Sequence, residues 1–223
     1  MSGPAGTVLE ARDLYRFFRA GDEETLALRG VSLTVDAGEI VAVVGPSGSG
    51  KSTLLACLAG LDEPAGGAVW VEGRRISHRS ESERAALRAQ SVGVLFQASN
   101  LIEHLTVVTN VAFAQRLGSG HGPKPMDLLE QVGIASRAGA YSAQLSGGES
   151  ARAGLAVALA NSPAVLLADE PTGELDGETE TRLLELLRTH ADRGCAVLLV
   201  THSPEVVAIA DRVIHLTDGR VSS

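Results

Sequence analysis

An α/β fold is predicted for this chain: a mainly parallel sheet covered by helices, joined to a small antiparallel β lobe and carrying an inserted helical segment. Three observations predict it. Short apolar runs at residues 39–44, 92–96, 164–168 and 196–201 have the length and continuity of strands buried on both faces. Residues 7–14, 28–35 and 69–72 instead alternate apolar and polar side chains, as strands with one solvated face do. Between about 98 and 144 the pattern turns to helices and a loose linker, which divides a core lobe of about 1–97 and 145–223 from a helical one. With 223 residues, 44% of them apolar, the chain can bury this core as one domain.

Taken in order, the first two alternating segments are separated by Gly21 and Asp22, which are turn residues. The buried run 39–44 (EIVAVV) leads into the glycine-rich stretch 45–53 (GPSGSGKST) and then into a helix over 53–61. Residues 69–72 (VWVE) form a further strand, ended by Gly73. Ser80 and Glu83 have the spacing of a capping box and open a polar helix that reaches Ala89. The strand 92–96 follows and Gln97 ends it. Helices are expected over 107–117 and 126–132, joined by a linker with Gly118, Gly120, Gly122, Pro123 and Pro125. Ser146, Gly147 and Gly148 precede an apolar helix over 154–160. Strand 164–168 runs into Asp169 and Glu170, residues 178–189 have helical periodicity, and strand 196–201 carries His202 at its tip. A short helix from Pro204, a strand over 212–216 and a turn at Asp218 and Gly219 complete the series.

The stretch 45–53 sits between a buried strand and a helix, the context of a loop that wraps a triphosphate. Gly45, Gly50, Lys51 and Ser52 match that pattern. Gly48 and Gly50 lack a β-carbon, so the backbone through Ser47 and Ser49 can turn inward and aim its N–H groups at phosphate oxygens, with Thr53 continuing the helix. Lys51 can reach the β- and γ-phosphates, and the Ser52 hydroxyl can bind Mg²⁺. Paired carboxylates at a strand end, Asp169 and Glu170, suit phosphoryl chemistry: one holds Mg²⁺ through its water shell and the other takes a proton from the attacking water. Gln97 could ligate Mg²⁺ or orient water, and His202, beside two carboxylates and the phosphate loop, could contact a γ-phosphate; taken singly, each is more often a loop or structural residue. Tyr15, Phe17 and Phe18 cluster in a chain with only 3% aromatics, either to stack on a nucleobase or to pack between strands.

A net charge of −8 argues against a nucleic-acid partner, whose phosphates are held by Lys and Arg. Cys57 and Cys195 stand in apolar surroundings without metal-site spacing and read as small core residues. The segment MSGPAG lacks the basic and apolar regions of a signal peptide, and no apolar run is long enough to span a bilayer. A cytoplasmic protein is expected, with docking at a membrane left open.

Residues 145–149 (LSGGE), taken with the 45–53 loop, Gln97, the Asp169–Glu170 pair and His202, closely resemble the nucleotide-binding subunit of ABC transporters. The likeness extends over nearly the whole chain and implies a P-loop ATPase of ABC type. Ser146, Gly147 and Gly148 offer a second helix N-terminus suited to an anion, and the family places it on the ATP of a partner subunit in a head-to-tail dimer. The resemblance further implies that Lys51 binds the phosphates, Ser52 and Gln97 serve Mg²⁺, Asp169 holds its water shell, and Glu170 is the general base. His202 senses the γ-phosphate, Asp176 lies in the loop joining the two sites, and Phe18 is favoured over Tyr15 under adenine. Four positions depart from the family pattern: Glu149 stands for the usual Gln, Val157 for Arg, Glu174 for Asn and Ser203 for Asp. A carboxylate at Glu149 is expected to repel the triphosphate at close range.

The runs AGDEETLALRGVSL, FQASNLIEHLTVVTNV and ADEPTGELD look like the branch of lipoprotein-releasing, macrolide-exporting and cell-division ATPases. That branch implies an integral membrane permease with few spans and a large external domain as partner, and peripheral attachment to the inner face of the cell membrane. A groove after Gln97, including Leu101 and Leu105, would then receive a permease helix, unless these leucines are core. The competing class is a soluble ABC ATPase acting in translation or DNA repair.

Overall fold

The structure is a computed structural model that describes residues 6–20, 23–96, 100–118, 122–173 and 175–222, with the backbone alone at 19, 20, 23 and 24. The Gly21–Asp22 turn, Gln97 and Glu174 lie outside the described residues. In chain order the elements are β1 (Thr7–Ala20), β2 (Glu23–Asp36), β3 (Ile40–Val44), α1 (Lys51–Leu58), β4 (Gly66–Val71), β5 (Arg74–Arg75), α2 (Glu81–Ser91) and β6 (Val92–Leu95). They continue with α3 (Val107–Leu117), α4 (Pro125–Gln131), α5 (Gly147–Ala158), β7 (Val165–Asp169), α6 (Gly177–Asp192), β8 (Ala196–Val200), α7 (Pro204–Ala208), β9 (Arg212–Thr217) and β10 (Arg220–Ser222).

Two sheets organise these elements. One is antiparallel in the order β2-β1-β4-β5, and the other runs β10-β9-β3-β8-β7-β6 with every pair parallel except β9 and β10. The central strands β3 and β8 are apolar at every position, and alternate residues feed opposite faces. Val41, Val43, Leu198 and Val200 point toward α1 and the antiparallel sheet. Ile40, Val197, Leu199 and Leu166 point toward a second core shared with α3 to α6. Register then positions the site. Val43 pairs with Val200 and Asp169 pairs with Val200, so the chain leaves β3, β7 and β8 at one level along one edge of the sheet.

Several elements differ from the sequence expectation. β1 and β2 extend well past their apolar alternation, Phe18 pairing with Thr25, because the ladder hydrogen bonds of a hairpin persist where neither face is buried. The helix expected over 154–160 begins at Gly147. Two leading glycines are poor helix formers, yet Ser146 caps the helix and overrides them. Beyond the Asp218–Gly219 turn the chain forms β10, an exposed strand of three residues with no apolar signal to announce it.

Candidate nucleotide-binding site

Lys51 and Ser52 are the first residues of α1, whose N-cap is Gly50. No side chain caps this helix and no acidic residue occupies its first turn, so its positive end is open to an external anion. Gly50 is required by geometry. Its φ is 101°, and a β-carbon there would stand 2.4 Å from the Ala27 carbonyl oxygen. At Gly48, by contrast, a β-carbon would meet nothing within 4 Å, so the loop faces open space there. The Lys51 ammonium is buried and folds back to donate to the carbonyls of Gly45 (2.8 Å) and Pro46 (3.0 Å). Ser49 Oγ is also buried and has no partner among the described residues. The turn after β9 braces the loop: Gly219 N–H donates to the Ser49 carbonyl at 3.0 Å, and the Arg29 N–H donates to the Gly219 carbonyl at 2.8 Å.

A cleft of ≈ 690 Å³ opens over this loop and gathers Ser47, Gly48, Gly50, Lys51, Ser52 and Thr53 with Asp169, Glu170, His202 and the ring of Phe18. The Ser52 hydroxyl and the Asp169 carboxylate, from different elements, are the oxygen donors a hard divalent cation takes. Glu170 follows β7 with φ 46°, a strained conformation for a residue with a side chain. Its carboxylate accepts from the His202 N–H at 3.2 Å and from Thr201 Oγ1 at 3.4 Å, and lies 3.6 Å from His202 Nε2. These contacts orient the carboxylate from the segment that follows β8. Thr201, fully buried, is a contact that sequence reading left inside a strand; its hydroxyl at the end of an apolar run was the available signal. Arg29 and Asp218 also line the cleft and were read only as strand and turn.

The model of the family described as ABC transporter matches residues 28–173. An uncharacterized ABC transporter ATP-binding protein of Methanocaldococcus jannaschii is 39% identical over 218 residues, 96% of this chain and 97% of that protein. The chain belongs to the ABC transporter family. Lipoprotein-releasing system ATP-binding protein LolD 1 of Caulobacter vibrioides is 41% identical over 97% of this chain and 95% of its own length. The macrolide export ATP-binding/permease protein MacB of Shigella flexneri is 42% identical over 96% of this chain, which spans 34% of that longer protein. Among solved structures, the ATP-binding cassette MJ0796, in a dimeric post-hydrolysis state bound to ADP and Pi, superposes with a TM-score of 0.90 at 32% identity, over 96% of this chain and 97% of that one. This is an ABC ATPase of the branch that includes these relatives.

The second anion-suited helix end of the ABC ATPase lies elsewhere. Ser146 and Gly147 border a separate cavity of ≈ 260 Å³ between β6, α5 and Pro171, which among the described residues shares only Glu170 with the P-loop cleft. Ser146 Oγ accepts from the Glu149 N–H at 3.2 Å, and Glu149 Oε2 accepts from the Ser146 N–H at 2.8 Å. That backbone bond first, and then the Arg137 charge, hold the Glu149 carboxyl below the usual carboxylate range; Arg137 Nε is 3.2 Å away. The carboxylate expected to repel a triphosphate is therefore turned onto its own helix and paired. Asp176 caps α6, accepting from the Thr179 N–H at 2.9 Å, and Thr179 packs toward Gly148, where a β-carbon would stand 3.2 Å from Thr179 Cγ2.

Other departures from the family pattern have local explanations. Val157, in place of Arg, borders an apolar groove with Leu61, Phe96, Leu117 and Pro163. Ser203, in place of Asp, still caps its helix by accepting from the Val206 N–H at 3.3 Å. Tyr15 does not reach the nucleotide cleft: its ring packs beside Gly30 and Gly66. Burial pushes the Cys57 thiol up to about 12 and the Cys195 thiol to about 11, which leaves both protonated and unreactive at neutral pH.

Proposed function

We propose that this ABC ATPase pairs head to tail with a second copy of itself, closes on ATP, and drives a separate membrane permease with few spans and a large external domain. The observation that carries the dimer is the separation of the two helix N-termini: the cleft over α1 holds Lys51, Ser52, Asp169, Glu170 and His202 but not Ser146. A triphosphate in that cleft needs Ser146, Gly147, Gly148 and Glu149 from another chain. In support, the cassette it superposes on is a dimer bound to ADP and Pi.

In this reading Lys51 leaves the Gly45 and Pro46 carbonyls for the β- and γ-phosphates, and the N–H groups of Gly48, Ser49 and Gly50 line the phosphates. Bound Mg²⁺ supplies charge neutralisation at the phosphate oxygens, and Ser52, Gln97 and Asp169, the last through a water, would hold it. Glu170 takes a proton from the attacking water while His202 contacts the γ-phosphate. Phe18 carries adenine, and Asp176 lies where the two sites meet. Removing a general base typically costs about a hundred- to ten-thousandfold in rate, so Glu170→Gln binds ATP and turns it over at that reduced level. Equal ATPase rates in mutant and wild type would take Glu170 out of this role.

The permease reading rests on the relatives named for lipoprotein release and macrolide export, the second of which carries ATP-binding and permease parts in one protein. Among the described residues no helix is long and apolar enough to cross a membrane. Leu101, which the sequence left between docking groove and core, is buried in the second core, and Leu105 is half-buried. The apolar groove bordered by Phe96, Leu117 and Val157, ≈ 440 Å³, is the better receptor for a permease helix, and it lies between α2 and α3 where movement of the helical lobe would be transmitted. Tagging the protein, solubilising membranes in mild detergent and identifying what co-purifies tests this. An integral membrane protein of few spans supports the reading, whereas recovery only with ribosomes or DNA-repair proteins would favour the soluble alternative.

A further inference from the structure

The hairpin β1–β2 carries Phe18 out to the rim of the cleft, where its ring is 44% exposed. An exposed ring on a two-stranded projection would ordinarily sample several rotamers, and a base would have to select one of them. Here a second side chain intervenes. Arg16, two residues earlier on the same strand face, places its guanidinium over the ring at 4.7 Å from the centroid. Arg16 is itself tied down: its Nε donates to Asp62 Oδ2 at 2.8 Å, and both side chains are largely shielded from water. Asp62 belongs to the turn that ends α1. Its backbone N–H donates to Ala56 at 3.1 Å and its other carboxylate oxygen accepts from the Glu63 N–H at 2.9 Å.

We infer that Arg16 is a positioning residue for the nucleotide base: anchored on Asp62, its guanidinium covers one face of the Phe18 ring and holds the ring with its other face open to adenine. The inference rests on the reading of Phe18 as the adenine platform. It connects the two ends of one helix to the two ends of one ligand. α1 presents its N-terminus to the phosphates, and the turn at its C-terminus fixes, through Asp62 and Arg16, the ring that meets the base. An aromatic face occupied by a planar cation cannot also take a base, so the guanidinium decides which side of the ring stacks. Because the charge of Arg16 is matched by Asp62 and turned to the ring, its effect falls on the base and not on the phosphates.

The test compares binding of ATP and of inorganic tripolyphosphate by calorimetry, in a Glu170→Gln background so that ATP is not consumed. Arg16→Ala is expected to weaken ATP by about two- to fivefold, the scale of one exposed cation–π contact, and to leave tripolyphosphate unchanged. In a Phe18→Ala background the same substitution is expected to have no further effect on ATP. Asp62→Asn, which leaves Arg16 in place but unanchored, is expected to reproduce part of the loss. Equal weakening of ATP and tripolyphosphate, an undiminished effect without Phe18, or no effect of Arg16→Ala while Phe18→Ala weakens ATP, would each overturn the role of Arg16 alone. Unchanged ATP binding in Phe18→Ala would overturn the adenine platform as well.

Discussion

Helices α1 and α5 both begin at glycine-rich runs, and they treat their first N–H groups in opposite ways. α1 starts at a glycine with no side-chain cap and no carboxylate in its first turn. α5 starts at Ser146, with the serine hydroxyl and the Glu149 carboxylate closing a reciprocal box on its N-terminus. The same partial positive charge is left for a ligand in one case and satisfied by the chain itself in the other. The difference teaches why one end of this ATPase can be a primary phosphate site while the other, in the proposed dimer, would add only a finishing contact. A helix that carries its own anion does not need nucleotide to be stable, and in that dimer it would meet a partner's ATP as a preformed surface.

The comparison can be broken most forcefully at α1. Gly50→Ala forces a side chain into a left-handed backbone and within 2.4 Å of the Ala27 carbonyl oxygen, so the loop must move. The strain alone is about 1–3 kcal/mol, and where relieving it competes with the bound geometry ATP binding measured by calorimetry should fall by about five- to 150-fold. Unchanged affinity would mean that the loop geometry is not what holds the phosphates. At α5 the expected effect is smaller and of another kind. Ser146→Ala removes a cap, lowers stability by about 1 kcal/mol in thermal melts, and weakens ATP-driven dimerisation while ATP binding to the monomer persists.

The smallest effect is expected at Glu149. Glutamine can complete the same capping box without a charge, so Glu149→Gln should dimerise on ATP as tightly as the wild type or slightly more so; weaker dimerisation would show that the carboxylate helps. Its pH signature sharpens the point. The folded carboxyl is held below its ordinary range, so its contribution is fully present above the unfolded value of about 4.3 and disappears as pH falls through the folded one. Melting curves of wild type and Glu149→Gln should therefore converge on acidification, and a constant gap would assign the carboxylate no role.

What was legible in the sequence was whatever is carried by neighbours in the chain. The 45–53 loop, the Asp169–Glu170 pair and the residue at the tip of strand 196–201 are each written in a few consecutive letters, and parallel register does the rest by placing three strand ends at one level. Contacts between distant segments were not legible. Nothing near Glu149 in sequence announces Arg137, and nothing in an apolar run announces that Thr201 will touch Glu170. The choice between groove and core for Leu101 was left open for a related reason: several leucines in the helical lobe have similar periodicity, and only packing decides which of them face inward.

The brace between Gly219 and Ser49 has a consequence for the life of the molecule before it is ever an enzyme. The loop that is to wrap phosphate leaves the ribosome before the backbone that pins its carbonyl, which comes some 170 residues later, from the turn beyond β9. At a synthesis rate of about 5–20 residues per second, the nascent chain therefore spends many seconds with the glycine-rich loop made and not yet held. The brace on the pocket waits for the β9–β10 hairpin.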